Sequence, residues 1–261
     1  MSEKILTYDS VEISFGGSAV VHDVDFSLHA GEILGLVGES GSGKSTIIKA
    51  AMGLLGANGM VTRGDIWYKG KNLPDISEKD FRMLRGAHIG MIFQDAGASL
   101  CPIRTIGEQI CESMQAHTRI TKAEAKEKAM DLFGKLRFKD GERIWDSYPF
   151  ELSGGMNQRA GIAIAMLMNP PILFADEPTS ALDVAVQKQV VTEMLHLREL
   201  FGTAIIMVTH DIGVVSAMAD TILVLQNGNM MEYGEAKQVL EHPENEYTKK
   251  LLSAVPKLRR S

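Results

Sequence analysis

The stretch "LVGESGSGKSTI", residues 36–47, decides the fold class. Within it, "GESGSGKS" (Gly38–Ser45) fits the P-loop pattern Gly-x-x-x-x-Gly-Lys-Ser/Thr. Glycines let successive backbone N–H groups turn inward around an oxyanion, and a following helix adds its positive N-terminal end. The apolar run before the loop predicts a buried strand, and "STIIKAAMGLL" after it predicts a helix ending at Gly56. The stretch therefore predicts a phosphate-binding loop between a strand and a helix.

Single residues of this loop have predicted roles in binding ATP and Mg²⁺, the two cofactors that we expect. Lys44 would reach the β- and γ-phosphates, and the Ser45 hydroxyl would be a ligand of Mg²⁺. The predicted ATP-binding residues of the loop are Gly38, Glu39, Ser40, Gly41, Ser42, Gly43, Lys44, Ser45 and Thr46.

Composition limits the class of protein. The chain has 261 residues, of which 45% are hydrophobic and 23% charged, enough for a large α/β domain. No window holds eighteen consecutive apolar residues, and the first residues lack the pattern of a secretion signal. Cys101 and Cys111 do not form a Cys-x-x-Cys pair, so we expect reduced thiols and a cytosolic setting. The net charge of −6 argues against a nucleic-acid partner.

The pattern along the chain predicts an α/β fold with a parallel-sheet core, as in RecA-like P-loop NTPases. Apolar runs typical of buried parallel strands occur at Glu32–Gly38, Ile172–Asp176 and Ala204–His210. Antiparallel segments, which would form a β subdomain, are predicted at residues 5–30, around the Gly16-Gly17 turn, and at 60–72. A further hairpin turns at Asn227-Gly228.

Helical patterns interrupt this core. Thr121 and Glu124 form the Thr-x-x-Glu signature of a capping box, and apolar residues then recur at helical spacing. These apolar residues are Ala129, Leu132, Phe133 and Leu136. We predict one domain over residues 1–261. Its parts are a β arm with the P-loop core (1–94), an inserted helical subdomain (95–160), the rest of the core (161–234) and a C-terminal helical tail (235–261).

Two acidic residues follow the strand in "ILFADEPT". Asp176 has the position of a Walker B carboxylate that holds Mg²⁺, and Glu177 would polarise the attacking water. A GTPase would carry an Asn-Lys-x-Asp motif that reads the base, and the sequence has none. These residues favour an ATPase.

The stretch "YPFELSGGMNQR", residues 148–159, suggests a second anion site at a helix start. It includes "LSGGM", which resembles the signature motif of ATP-binding subunits of ABC transporters. The resemblance covers nearly the whole chain, with the motifs in family order. It implies that two subunits close head to tail on two ATP molecules.

The same resemblance assigns further site residues. Phe15 resembles the aromatic residue that stacks on adenine, Gln94 the Q-loop glutamine and His210 the switch histidine that senses the γ-phosphate. The implied catalytic residues are Glu177, His210 and Gln94, and the implied Mg²⁺ ligands are Ser45, Gln94 and Asp176. The implied contacts across the dimer come from Ser153, Gly154, Gly155, Met156 and Asp183.

Within the family, the chain is most similar to importer subunits for dipeptides, oligopeptides and nickel, and it ends like the shorter nickel type. The implied partners are a second ATPase subunit, either a paralogue or a second copy of this chain, and two membrane permeases. A solute-binding protein is an indirect partner, and the implied location is the cytoplasmic face of the membrane. Ala96 and Asn157 depart from the residues common in relatives. The alternatives are a soluble ABC ATPase without a transport role and the ATPase of an exporter.

Overall fold

The computed structural model describes residues 3–180 and 182–253. The strands are β1 (Lys4–Phe15), β2 (Ser18–His29), β3 (Ile33–Val37), β4 (Gly59–Tyr68), β5 (Lys71–Asn72), β6 (Ile89–Ile92), β7 (Ile172–Asp176), β8 (Ala204–Thr209), β9 (Thr221–Gln226) and β10 (Asn229–Glu235). The helices are α1 (Lys44–Ala51), α2 (Glu78–Leu84), α3 (Ala96–Ser99), α4 (Ile106–Gln115), α5 (Lys122–Lys135), α6 (Gly141–Asp146), α7 (Gly154–Met166), α8 (Val184–Phe201), α9 (Ile212–Met218), α10 (Ala236–Glu241) and α11 (Glu246–Ser253).

The chain forms two compact units. Unit 1 contains the residues up to 81 and those from 204 onward, and unit 2 contains residues 82–203. The proposed division of one domain at 94/95, 160/161 and 234/235 stays a prediction.

Unit 1 contains a mixed sheet with the strand order β5-β4-β1-β2-β10-β9-β3-β8. Strand β1 pairs antiparallel with both β2 and β4, which confirms the predicted antiparallel segments. Strand β3 pairs in parallel with β8 and β9, and all of its residues are buried. A strand without a solvent-facing side needs apolar residues at every position, which explains the continuous apolar run.

One buried aromatic residue ties the antiparallel strands to helix α1. Tyr8 is fully buried, and its ring stacks on Phe26 with 4.4 Å between the ring centroids. Its hydroxyl donates a hydrogen bond to the Ile47 carbonyl at 2.8 Å. Because a buried hydroxyl needs a partner, this bond satisfies Tyr8 and also fixes α1 against the strands.

The hairpin of β9 and β10 turns at Asn227 and Gly228, as predicted. Both residues have left-handed backbone angles, with φ of 47° and 78°. That combination is typical of a type I′ turn, whose twist matches that of the flanking strands.

The predicted end of helix α1 at Gly56 is wrong. The helix ends at Ala51, and Gly53 takes the left-handed conformation with φ of 62°. The N–H of Leu54 donates to the Lys49 carbonyl at 2.8 Å, and that of Gly53 to the Ala50 carbonyl at 3.1 Å, which is a Schellman motif. A Cβ at Gly53 would lie 2.7 Å from the ring of Phe81, so tertiary packing selects this glycine.

Unit 2 contains a parallel pair of strands, β6 and β7, together with helices α3 to α8. The predicted capping box is present, since the Thr121 side chain accepts from the Glu124 N–H and the Glu124 carboxylate accepts from the Thr121 N–H. The apolar residues that recur at helical spacing after this capping box are all buried: Ala129, Leu132, Phe133 and Leu136. Strand β6 is a feature that the sequence analysis missed, because four residues give too short a pattern.

The predicted helical tail consists of α10 and α11, and residues 254–261 of that prediction lie outside the described residues. Tyr247, Leu251 and Leu252 of α11 pack on a buried cluster of unit 1. Within the described ranges, we find no helix whose length and apolar character would let it cross a membrane.

Candidate functional site

The predicted phosphate-binding loop of unit 1 connects β3 to α1. Gly43 is the N-cap of α1 and has φ of 101°, a left-handed conformation. A Cβ at Gly38 would lie 2.1 Å from the Leu225 carbonyl oxygen, so only glycine fits at the start of the loop. The loop therefore needs glycine for its backbone turn and for its close approach to β9.

Lys44 is buried, with 4% of its surface exposed, and its ammonium group lies inside the loop. It donates hydrogen bonds to the carbonyls of Gly38 at 2.9 Å and Glu39 at 2.7 Å. A buried ammonium is costly unless it has hydrogen-bond acceptors, and these carbonyls belong to the loop itself. The side chain thus places one positive charge where the backbone curves around it.

The first turn of α1 adds N–H groups to this loop. Ser45 and Thr46 are half-buried in this turn. No acidic residue occurs in it, so nothing there offsets the positive end of the helix dipole. The loop, the lysine and the helix start together suit a phosphate group.

Two other predicted residues belong to unit 1. Phe15 ends β1, and its half-buried ring lies against Gly59, where a Cβ would be 2.7 Å from the ring. His210 is exposed and follows β8 directly, and Asp211 caps the next helix by accepting from the Gly213 N–H at 2.8 Å. The roles of Phe15 and His210 stay predictions.

In unit 2, Asp176 is the last residue of β7 and is buried, and Glu177 follows it with a left-handed backbone at φ of 45°. A residue other than glycine rarely adopts this conformation, which costs about 1–3 kcal/mol. Ser180 stabilises the turn, since its N–H and hydroxyl both donate to the Glu177 carbonyl, at 3.0 and 2.8 Å. Backbone strain of this kind is typical of functional sites.

The structure brings two predicted catalytic residues together. The Gln94 side-chain amide nitrogen lies 3.4 Å from the Glu177 carboxylate and donates to it. Gln94 follows β6 and Glu177 follows β7, and these two strands are parallel neighbours. Residues that follow the carboxyl ends of parallel strands meet at one edge of the sheet, the usual position of ligand-binding groups.

The predicted signature motif starts helix α7 of unit 2. Ser153 is the N-cap, and its hydroxyl oxygen accepts from the Met156 N–H at 3.3 Å. Ser153 and Gly154 are exposed, whereas Gly155 and Met156 are half-buried. The free N–H groups of an exposed helix start can bind an anion supplied by another molecule.

Helix α7 is anchored to α8 by an ion pair. Arg159 and Glu193 pair with side-chain exposures of 14% and 10%, and the Arg159 guanidinium lies 4.2 Å from the centroid of the Phe138 ring. Burial raises the pKa of Glu193 above its usual value, and the charge of Arg159 opposes this shift. Removing one partner of such a pair would leave a buried charge without a counter-ion, which destabilises the fold. The pair therefore links α7, which begins at the predicted signature motif, to α8.

Asp183, the other residue predicted to act across the dimer, is the N-cap of α8. Its carboxylate accepts from the N–H groups of Ala185 and Val186, both at 3.0 Å. Ala181, two residues before Asp183, lies outside the described residues.

Asn157 and Ala96 are the two residues that depart from the family pattern. Asn157 is half-buried and donates from its side-chain amide to the Pro149 carbonyl at 2.9 Å. It therefore supports the turn before the signature motif. Ala96 begins α3, and its side chain lies outside the described part.

The sequence analysis missed residues that support the loop from the β9–β10 hairpin. The Gly228 N–H donates to the Ser42 carbonyl at 3.0 Å, and the backbone of Leu225 packs on Gly38. The Asn-Gly turn was recognised as a turn, but no local pattern connects it to a loop nearly two hundred residues earlier.

Comparisons with known proteins identify the family. The family model described as ABC transporter matches residues 21–180. The oligopeptide transport ATP-binding protein OppD of Salmonella typhimurium is 43% identical over 97% of this chain and 77% of its own length. The dipeptide transport ATP-binding protein DppD of Lactococcus lactis is 40% identical over 97% of this chain and 74% of its own length.

Solved structures agree with this result. CbiO1 of Clostridium perfringens, part of the ABC transporter complex cbiONQ, has a TM-score of 0.80 at 25% identity and covers 98% of this chain and 97% of that one. A dimeric ATP-binding cassette in a post-hydrolysis state, bound to ADP and Pi, has a TM-score of 0.76 at 26% identity and covers 89% and 99% of the two chains. The chain therefore belongs to the ABC transporter family, as one of its ATP-binding and ATP-hydrolysing subunits.

Proposed function

We propose that the chain powers a peptide importer by binding ATP at its phosphate-binding loop and hydrolysing it. The loop N–H groups and Lys44 bind the β- and γ-phosphates, and Phe15 stacks on adenine. His210, at the end of β8, senses the γ-phosphate. The buried ammonium of Lys44 inside a glycine loop supports the binding step.

Mg²⁺ fits the oxygen donors that the chain offers. The hydroxyl of Ser45 and the carboxylate of Asp176 are hard ligands of the kind that Mg²⁺ takes, and Gln94 adds an amide oxygen. When bound, Mg²⁺ neutralises charge on the phosphates. Asp176, 6% exposed, is held by its strand, so this carboxylate needs little ordering before it binds a cation.

Glu177 is the residue that we assign to activation of the attacking water. The observation that carries this assignment is the strained backbone of Glu177 together with its contact to Gln94 at 3.4 Å. The contact orients the carboxylate, which can then accept a proton from water as it attacks the γ-phosphate.

A second ATPase subunit completes the ATP site in this proposal. Its Ser153, Gly154, Gly155 and Met156 would add N–H donors and a helix dipole to the γ-phosphate, and its Asp183 would contact the facing subunit. The solved dimeric cassette bound to ADP and Pi supports pairing of this kind. Closure of the pair at the cytoplasmic face would switch two membrane permeases that receive solute from a solute-binding protein.

The proposed solutes are oligopeptides and dipeptides. Two relatives named for oligopeptide and dipeptide transport share 43% and 40% of their aligned residues with this chain. Uptake by vesicles that contain the chain with its co-purified permeases would test this. We expect ATP-dependent uptake of short peptides, and uptake of a nickel chelate but no peptide would contradict it.

The hydrolytic role of Glu177 is tested by Glu177→Gln in the reconstituted transporter. ATP turnover should fall by at least about a hundredfold while the Kd for ATP stays within about twofold, since only the transition state loses a base. Glu199→Gln is the matched control, because Glu199 is an exposed carboxylate on α8 of the same unit. Turnover close to that of the wild type in Glu177→Gln would refute the assignment.

A further inference from the structure

The tail helix α11 contacts the phosphate-binding loop. The N–H of Glu39, the second residue of "GESGSGKS", donates to the Tyr247 hydroxyl oxygen at 3.3 Å across a sequence separation of 208 residues. Both residues belong to unit 1. No local pattern in the sequence predicts a role for this tail in the site.

The position of Tyr247 is fixed from two sides. The Asn245 side-chain oxygen accepts from the Tyr247 N–H at 2.8 Å and caps the helix start. The carboxylate of Glu232 on β10 accepts from the N–H groups of Glu244 at 2.9 Å and Asn245 at 3.2 Å. The segment that carries the tyrosine is thus attached to the sheet before the helix begins.

Apolar packing also holds the Tyr247 side chain in place. Tyr247, Leu251 and Leu252 pack on a buried cluster that includes Val37, the last residue of β3, and Ile212 of α9. Val37 directly precedes the loop, and Ile212 follows His210 by two residues. The tail helix is therefore packed under both the loop and the helix that follows the predicted switch histidine.

We propose that Tyr247 is a positioning residue for ATP binding, because its hydroxyl fixes the first turn of the loop through the Glu39 N–H. This inference rests on the proposed ATP site. The N–H of Glu39 is held at the tyrosine. A loop that is already ordered loses less conformational entropy when the nucleotide binds, and this raises its affinity.

The ring of Tyr247 is partly buried, and this raises the pKa of the hydroxyl above its usual value. The hydroxyl therefore stays neutral at physiological pH, and no negative charge forms beside the Glu39 N–H. The neutral hydroxyl oxygen of Tyr247 is sufficient to accept the hydrogen bond from the Glu39 N–H.

The test is Tyr247→Phe in the full chain, which removes the hydroxyl and keeps the ring in the cluster. We expect the Kd for magnesium–ATP to rise about threefold to tenfold, the range that one neutral hydrogen bond gives. In the reconstituted transporter, the KM for ATP should rise by a similar factor while kcat stays within about twofold. Hydrogen exchange at the Glu39 amide should become faster in the nucleotide-free chain.

Tyr233→Phe is the matched control, since Tyr233 also joins its hydroxyl to a backbone group of unit 1, the Ser27 carbonyl at 3.1 Å. It should leave both the Kd and the exchange at Glu39 unchanged. Equal ATP affinity and equal Glu39 exchange in Tyr247→Phe and the wild type would overturn the inference. Failure of the wild type to bind ATP would instead refute the proposed site.

Discussion

At the scale of single residues, the candidate site contains both backbone strain and close approach. Glu177 has a left-handed backbone although it is not glycine, and the N–H and hydroxyl of Ser180 both donate to its carbonyl. Gly38 has no room for a Cβ. The strained backbone lowers stability, and the close approach allows only glycine at position 38. Both features belong to residues of the predicted ATP site, where catalysis and binding require a fixed geometry.

A prediction at this scale concerns Gly228, which has φ of 78° and where a Cβ would lie 2.0 Å from the Val20 carbonyl oxygen. Gly228→Ala should lower the free energy of unfolding by more than about 2 kcal/mol, because backbone must move in addition to the cost of the left-handed angle. It should also raise the Kd for ATP, because the Gly228 N–H supports the loop at Ser42. Urea denaturation and nucleotide binding measure the two effects.

Gly70→Ala is the control for this prediction. Gly70 has a similar φ of 75°, but no atom lies within 4 Å of a Cβ placed there. The substitution should cost only about 1 kcal/mol and leave ATP affinity unchanged. Equal free energies of unfolding for the two variants would show that the close contact at Gly228 does not contribute to the loss of stability.

At the scale of elements, caps define where the helices of unit 2 begin. Helices α4 and α5 both start with a Thr-x-x-Glu capping box, at Thr105–Glu108 and Thr121–Glu124. Helices α7 and α8 start at the Ser153 and Asp183 N-caps, which are also predicted to act on a second subunit. In this prediction each N-cap residue serves both its own helix and the second subunit, because both roles depend on N–H groups at a helix start.

A prediction at this scale is that Thr121→Ala lowers the free energy of unfolding by about 1 kcal/mol at pH 7. Hydrogen bonds from the Thr121 hydroxyl and backbone N–H hold the pKa of Glu124 below its usual value. A lowered pKa stabilises the folded state only above the unfolded value of 4.5, and this contribution is lost as the pH falls through the folded pKa. The effect of Thr121→Ala should therefore shrink below pH 4.5.

Urea denaturation at several pH values measures this, with Thr192→Ala as the control. Thr192 is exposed within α8 and donates to the Lys188 carbonyl one turn earlier, so it caps no helix start. Thr192→Ala should leave the free energy of unfolding unchanged at every pH. A Thr121→Ala effect that stayed constant down to pH 3 would contradict the role of the ionised Glu124.

At the scale of the whole molecule, the predicted signature motif is a second helix start that suits an anion, in a chain that already has a predicted phosphate-binding loop. The exposed Ser153 and Gly154 at the start of α7 are suited to a nucleotide held by another subunit. This is the physical reason for expecting a pair of ATPase subunits rather than a monomer.

The corresponding prediction separates ATP binding from turnover. In the reconstituted transporter, Ser153→Arg should lower ATPase activity at least about tenfold, because the larger side chain blocks the helix start from the facing nucleotide. The isolated chain should bind ATP with unchanged Kd, since its own loop is intact. Thr192→Arg, at an exposed position of the same unit, should change neither quantity. Full activity of Ser153→Arg would argue against a shared site.

The sequence by itself determined the elements whose signals are local. The P-loop, the buried strand β3, the Asn227-Gly228 hairpin and the Thr121 capping box each follow from residue type and spacing over a few positions. Lys44, Ser45, Asp176 and Glu177 were predicted in the same way, because motifs such as "GESGSGKS" keep their chemistry within one short segment. The roles of Phe15, Gln94, His210 and Asp183 were assigned through the resemblance to the family.

Only the tertiary structure decided features that depend on a distant contact. Helix α1 ends before Gly53 and not at Gly56, because the Phe81 ring fits only against a residue without a Cβ. The four-residue strand β6 is held by its pairing with β7. The contact of Tyr247 with Glu39 joins positions 208 residues apart. Such contacts leave no pattern in a local window, since their energy comes from packing and pairing that exist only once the chain has folded.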